Sequence, residues 1–398
     1  MEYARFFPAD VLDALSYDLP GAWMPPLPPG CIRLSAGYPF AASVPVAELV
    51  RSTAELAAVE ADLPFHYLGS PAMGRLPGRV AARLAQRGMP VGVAEVLITA
   101  GGCQAIDLAA RAVLGRADLV AVETPTYMEA LEIFRNYTPH IVGYPVDGAG
   151  LQVEVLAADL AARRAVGRPL PRLLYSIASF QNPTGATMSL ERRRRLVALA
   201  AEYDFLILED DAYGELSFGP DPVTLRSLSP ERVIHIGSLS KVVATGLRVG
   251  WAAAPAPLIT AMGLFKKDLE HPFTQALMER YLASIDLEER VAALRSAYRA
   301  RRDHMLAALA RHMPAGVTWT RPEGGYFVWV TTPGVDTGAL LSEALAAGVA
   351  YVPGKYFCFG GGGLGREALR LSFSYLAPDV MEQGVALLGG LLKSQRTR

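Results

Sequence analysis

Val233-Ile234-His235-Ile236 runs straight into Gly237-Ser238-Leu239-Ser240-Lys241, and Gly246-Leu247-Arg248 follows close behind. The β-branched run predicts a strand. Its carboxyl end then offers two hydroxyls, a lysine and an arginine. Similar short apolar runs stand at 96–99, 119–122, 173–177, 205–208 and 249–253, with helical stretches between them. That alternation predicts an α/β fold with a mostly parallel, mixed central sheet and helices on both faces. In such sheets ligands bind beyond the carboxyl ends of the strands. The polar segments that follow the runs are therefore the candidate site.

Outward from this centre the pattern changes. The first 45 residues are rich in proline and read as an arm, while 46–62 and 77–89 have helical period. A long helical region at about 257–312 leads to strand-like pieces at 326–330, 349–352 and 368–373, which suggest a smaller α/β domain. The expected division is 1–46 as an N-terminal arm and part of the small domain, 47–284 as the large domain, and 285–398 as the small C-terminal domain.

The bulk numbers narrow the function. Hydrophobic residues at 51% and charged ones at 19% describe a chain that folds, and a formal net charge of −1 gives no field that recruits nucleic acid or a membrane. A small-molecule partner is expected. Three widely spaced cysteines form neither a disulfide framework nor a C-x-x-C metal site. The start lacks a basic, then apolar leader, and no segment is long and apolar enough to span a bilayer. The expected location is the cytoplasm.

Four strand ends carry complementary chemistry. After 96–99 come Gly101, Gly102, Cys103 and Gln104 ahead of a helical pattern, where backbone N–H groups can face an anion; a plain tight turn is the alternative. After 173–177 comes Ser179-Phe180-Gln181-Asn182-Pro183-Thr184-Gly185, a turn with an amide at a strand's end. After 205–208 stand Glu209, Asp210 and Asp211, three acids that cost too much to bury without cations; no metal is expected there, and one acid facing a cationic ligand nitrogen fits better. Ser238, Ser240 and Arg248 can bind a phosphate, and burial beside cations would make Lys241 a nucleophilic amine.

The ordered set Asn182-Pro183-x-Gly185, Asp210-x-Ala212-Tyr213, Ser238-x-Ser240-Lys241, Arg248 and Leu369-Arg370-Leu371-Ser372-Phe373 resembles the fold-type I pyridoxal-phosphate (PLP) aminotransferases of class I and II, over nearly the whole chain. The flavour is that of the alpha-aminoadipate (LysN-like) and kynurenine aminotransferases and of the aminotransferase-like half of MocR regulators. The resemblance implies PLP held by Lys241 as a Schiff base, with Lys241 later the base at the substrate Cα. It implies Asp210 on the pyridine nitrogen, Asn182 and Tyr213 on the phenolate oxygen, and Tyr127 stacked on the ring. The phosphate falls to Ser238, Ser240, Arg248 and the amides of Gly102, Cys103 and Gln104, joined by Tyr67 from the other subunit of a homodimer with shared active sites. Arg370, with Asn182 and the backbone near Gly37, would hold the substrate α-carboxylate.

The implied reaction transfers the amino group of an L-amino acid to 2-oxoglutarate, giving a 2-oxo acid. Tyr38 and Phe40 at the mouth suggest aromatic or long aliphatic donors, whereas Arg33 could serve a second carboxylate. Oxidation, decarboxylation or elimination on the same scaffold is the alternative; a MocR-type regulator would carry a further helix-turn-helix domain. Gly102 and Ala36 depart from relatives, which often have a hydroxyl and a second glycine there. The glycine run 360–363 is read as a loop, Arg192 to Arg195 as the solvated face of a helix opened by Ser189, and His66 as packed or near the site.

Overall fold

The first strand of the computed structural model, β1 (Ile32–Arg33), sits in the arm, and the structure describes residues 3–15, 21–23, 25–67, 69–266, 271–360 and 363–396. The apolar runs of the middle of the chain become β2 (Val96–Thr99), β3 (Leu119–Thr124), β4 (Ile141–Asp147), β5 (Gly150–Leu151), β6 (Pro171–Ser176), β7 (Leu206–Asp210), β8 (Val233–Ser238) and β9 (Gly250–Ala253). They form one sheet in the order β2-β9-β8-β7-β6-β3-β4-β5. The core strands β8, β7, β6, β3 and β4 are parallel, while β9 and β5 run against their neighbours. The sheet is thus mixed, as expected.

Helices cover both faces because the strands are apolar on both. Ile234 and Ile236 of β8 pack into a layer with Ile106, Leu108, Leu131 and Met262, whereas Val233 joins Leu156, Leu160, Leu196 and Leu199 on the opposite side. Each such buried aliphatic side chain contributes about 1.5–3 kcal/mol. The helix Gly102–Val113 begins directly beyond β2, and a Cβ on Gly250 of β9 would lie 2.8 Å from the Gly101 carbonyl carbon. Only glycine at both positions lets the returning strand seat that turn beside the end of β8.

Toward the carboxyl end, β10 (Thr318–Trp319), β11 (Phe327–Thr331), β13 (Val352–Pro353) and β14 (Ala368–Ser372) form a second sheet in the order β10-β11-β14-β13, and β12 (Val349–Ala350) pairs in parallel with β1. Ser372 N–H also donates to the Leu34 carbonyl at 2.7 Å. The arm is therefore stitched to the small sheet next to Arg370.

Several elements differ from the sequence reading. The helix expected at 77–89 is Pro71–Gln86, because Ser70 caps it by accepting from Met73 N–H and Pro71 fits its first turn. β4 was not foreseen, since Gly143 and Pro145 interrupt its apolar run. The region 257–312 holds Ala256–Phe265, Pro272–Ala283 and Leu287–His312, with 267–270 outside the described residues. Arg193 corrects the solvated-face reading. Although Ser189 does cap the helix Leu190–Tyr203, Arg193 is 1% exposed and donates to the carbonyls of Met188, Val223 and Ala178. Gly361 and Gly362 of the glycine run lie outside the described residues. Among the described residues no helix is long and apolar enough to cross a membrane.

Candidate active site

The three acids at the end of β7 separate by partner. Glu209 accepts from the N–H groups of Leu225 and Arg226 at a helix start and lies 3.2 Å from His235 Nδ1. Asp211 pairs with Arg87 at 2.7 Å. Asp210, between them, accepts from Tyr175 Oη at 2.7 Å and Ala212 N–H at 3.2 Å and meets no cation among the described residues. Burial holds its carboxyl above the usual range, against those two hydrogen bonds. It lines a cavity of about 290 Å³.

Lys241 enters the same cavity from the end of β8. Its Nζ donates to the Gly37 carbonyl at 3.1 Å and stands 5.5 Å from the Tyr213 ring centre. Loss of water, reinforced by the charge of Arg370, lowers the amine to about 8. The backbone is fixed as well, since Tyr326 Oη donates to the Lys241 carbonyl at 3.1 Å. Beside it, Ser238 Oγ donates to Ser240 Oγ at 2.8 Å and accepts from Ser240 N–H at 3.0 Å. Arg248 donates to the Ala100 carbonyl at 3.2 Å, and a Cβ on Gly101, at φ +86°, would fall 2.5 Å from its Nη2. Hydroxyls, guanidinium and a helix start thus surround a small space kept open by glycine.

The loop after β6 is built on Glu123, which accepts from Ser176 Oγ, Ile177 N–H and Gln181 Nε2. Gln181 Oε1 in turn accepts from both Thr184 N–H and Thr184 Oγ1, closing the turn that presents Asn182. Asn182 Oδ1 accepts from Arg370 Nη1 at 2.9 Å, and Arg370 Nη2 reaches the Ser35 carbonyl at 3.1 Å. The guanidinium lies 4.1 Å from the Phe327 ring centre, and its Nε is buried without an acceptor. Burial lowers it to about 10, so it stays charged at neutral pH. A buried guanidinium without a carboxylate among the described residues is poised for one from outside.

Thirteen of the fifteen expected site residues line this cavity; Gln104 and Tyr67 do not. Gln104 turns its side chain back to accept from Ala100 N–H, leaving only its backbone at the helix start. Tyr67 is 78% exposed. His66 is exposed and bonded to Asp62, which corrects the packed reading. Tyr175, Glu129 and Trp23 are among the residues that went unforeseen. Glu129 accepts from Tyr127 Oη and from Cys103 Sγ at 3.1 Å, and with burial it pushes the Cys103 thiol up to about 12.

Residues 30–388 match the family model described as aminotransferase class I and II. The chain belongs to that family. This aminotransferase is 36% identical over 371 residues to aromatic-amino-acid aminotransferase 1 of Thermococcus litoralis, covering 92% of this chain and 88% of that one. It superposes on the multiple substrate aminotransferase of Thermococcus profundus with a TM-score of 0.88 at 33% identity, each chain covered in full. The alpha-aminoadipate aminotransferase LysN of Thermus thermophilus, solved with N-(5'-phosphopyridoxyl)-L-leucine, gives 0.89 at 32% identity, again with both chains fully covered. The fold is therefore fold-type I, the cofactor is pyridoxal 5'-phosphate, and the chemistry is amino-group transfer. The cavity fits that cofactor: a cation-free buried acid, a cradle that a Cβ at Gly101 would fill, and a lysine with a lowered pKa meet in one space.

Proposed function

We propose that this aminotransferase moves the amino group of an L-amino acid, aromatic, long aliphatic or aminoadipate-like, to 2-oxoglutarate by a ping-pong mechanism in the cytoplasm. The observation that carries the reading is the convergence of Lys241, cation-free Asp210 and the unpaired edge of Arg370 on one cavity. When bound, PLP supplies an electron sink for the pair left at the substrate Cα.

The chain's own residues do the rest. Ser238, Ser240, Arg248 and the amides of Gly102, Cys103 and Gln104 hold the phosphate. Asp210, oriented by Tyr175, holds the ring nitrogen's proton, and a cationic partner would bring its carboxyl back to the ionised form. Asn182 and Tyr213 donate to the phenolate oxygen while Tyr127 covers the ring. Lys241 Nζ would hold the cofactor and then carry the Cα proton to the carbon on the far side of the amino nitrogen, and an amine lowered by burial suits both halves of that transfer. Arg370 and Asn182 orient the α-carboxylate, and Tyr38 and the backbone of Gly37 border the entry.

We also propose a homodimer in which Tyr67 reaches the neighbouring subunit's phosphate. The exposed apolar groups around it, Val59, Leu63 and Phe65, support a covered surface there. The division into 1–46, 47–284 and 285–398 belongs to the same proposal.

Single-turnover mixing of the holoenzyme with a panel of L-amino acids tests the reaction. We expect bleaching of the visible cofactor band with one 2-oxo acid and one pyridoxamine phosphate formed per site, and Lys241→Ala should lack the band. Release of carbon dioxide or ammonia instead would establish decarboxylation or elimination on this scaffold.

A further inference from the structure

Glu129 lines the cavity, yet the chemistry above gives it no work. It is the second residue of the helix Met128–Arg135, whose first-turn N–H groups favour a carboxylate, and it pairs with no cation among the described residues. Its Oε2 accepts from Tyr127 Oη and from Cys103 Sγ at 3.1 Å, and those two donors lie 3.5 Å apart. The three side chains close a triangle.

The triangle joins two elements that no ladder joins. Cys103 is the second residue of the helix Gly102–Val113 beyond β2, and Tyr127 directly precedes the helix Met128–Arg135 beyond β3. In the sheet β9, β8, β7 and β6 stand between those two strands. Cys103 belongs to the phosphate cup and Tyr127 to the ring cover, so Glu129, bonded to both, sets one against the other. Neither donor is lost to ionisation at neutral pH. Burial, with Cys103 and Glu129 beside it, holds the Tyr127 phenol well above its ordinary range, and burial together with Glu129 lifts the Cys103 thiol to about 12.

The tie bears on one stage of the transfer. Midway through a ping-pong cycle the amino group rests on the cofactor, which is then pyridoxamine phosphate and has no covalent bond to Lys241. Non-covalent contacts alone then keep it in place, the cup and the ring cover among them. We propose that Glu129 is a positioning residue that retains the cofactor in this amine form by holding Tyr127 and the Cys103 turn in a fixed relation. The inference rests on the reading of Tyr127 as the ring cover.

Cofactor-free protein loaded directly with pyridoxamine phosphate gives the test, because release into buffer can be followed by fluorescence with no donor or acceptor present. Glu129→Ala should release it about 10-fold faster than wild type, the scale of a lost hydrogen bond to a charged group. Glu129→Gln keeps an oxygen for Tyr127 and should stay within about threefold of wild type. Tyr127→Phe removes the donor and should match Glu129→Ala, while the double variant should be little faster than either single, because both changes break one contact. Cofactor-free Glu129→Gln gives a second readout: alkylation of Cys103 at a fixed alkaline pH, followed by peptide mass spectrometry, should be severalfold faster than in wild type. Release from Glu129→Gln as fast as from Glu129→Ala, multiplied effects in the double variant, or unchanged Cys103 alkylation would each overturn the tie. Fast release from Tyr127→Ala with wild-type release from Glu129→Ala would do so while the ring-cover reading stands. Wild-type release from Tyr127→Ala would remove both.

Discussion

Lys241 is a lysine whose proton is loosened by where it stands: burial and the charge of Arg370 favour the neutral amine, which titrates at about 8. In cofactor-free protein, acylation of Lys241 by a small anhydride, followed by peptide mass spectrometry, should rise with pH and level off above about 8. Surface lysines should still be gaining reactivity toward their ordinary value of 10.5. A Lys241 profile that tracks the surface lysines would contradict the environment described. The sign for stability follows from the same shift. The unfolded chain holds this proton more tightly than the folded one, so the group makes cofactor-free protein gain stability as pH rises from about 8 to 10.5. Asp210 shows the opposite strain: its burial favours the protonated carboxyl until a cation arrives.

At the scale of elements, the end of β7 shows how a strand delivers one acid while neutralising two. Arg87, at the end of the helix Pro71–Gln86, is the partner that makes Asp211 tolerable. Arg87→Met should destabilise cofactor-free protein by about 3 kcal/mol in urea unfolding, since it strands a buried carboxylate, and adding Asp211→Asn should recover part of the loss. Unchanged unfolding in Arg87→Met would mean that His235, whose Nε2 lies 3.9 Å from Asp211, suffices alone.

The strand ends were legible in sequence because each β-branched run breaks abruptly into hydroxyls, glycines or charges, and the break is where the ligand lies. Tyr175 was not, because a tyrosine inside an apolar strand reads as packing. Glu129 in the first turn of a helix reads as a solvated acid. Trp23 depends on where the arm docks, which no local pattern encodes, and Arg193 shows a basic run hiding one residue that bonds to carbonyls in the core.

For the whole molecule, the expectation concerns subunits. If Tyr67 acts across a two-fold interface, neither Tyr67→Ala nor Lys241→Ala dimers hold a complete site, yet a hybrid of the two holds one. Unfolding and refolding an equal mixture should yield about a quarter of wild-type activity, from random pairing in a C2 dimer. Sedimentation would verify the dimer, and activity no higher than the average of the two parents would refute sharing.

Arg370 rests on Asn182, 188 positions earlier in the chain, and on Ser35, 335 positions earlier. Contacts so distant in sequence close late, after local elements have formed. Since synthesis proceeds from the amino end, Ser35 and Asn182 are both made long before Arg370 exists to bind them. The substrate clamp thus needs the two ends of the polypeptide to meet.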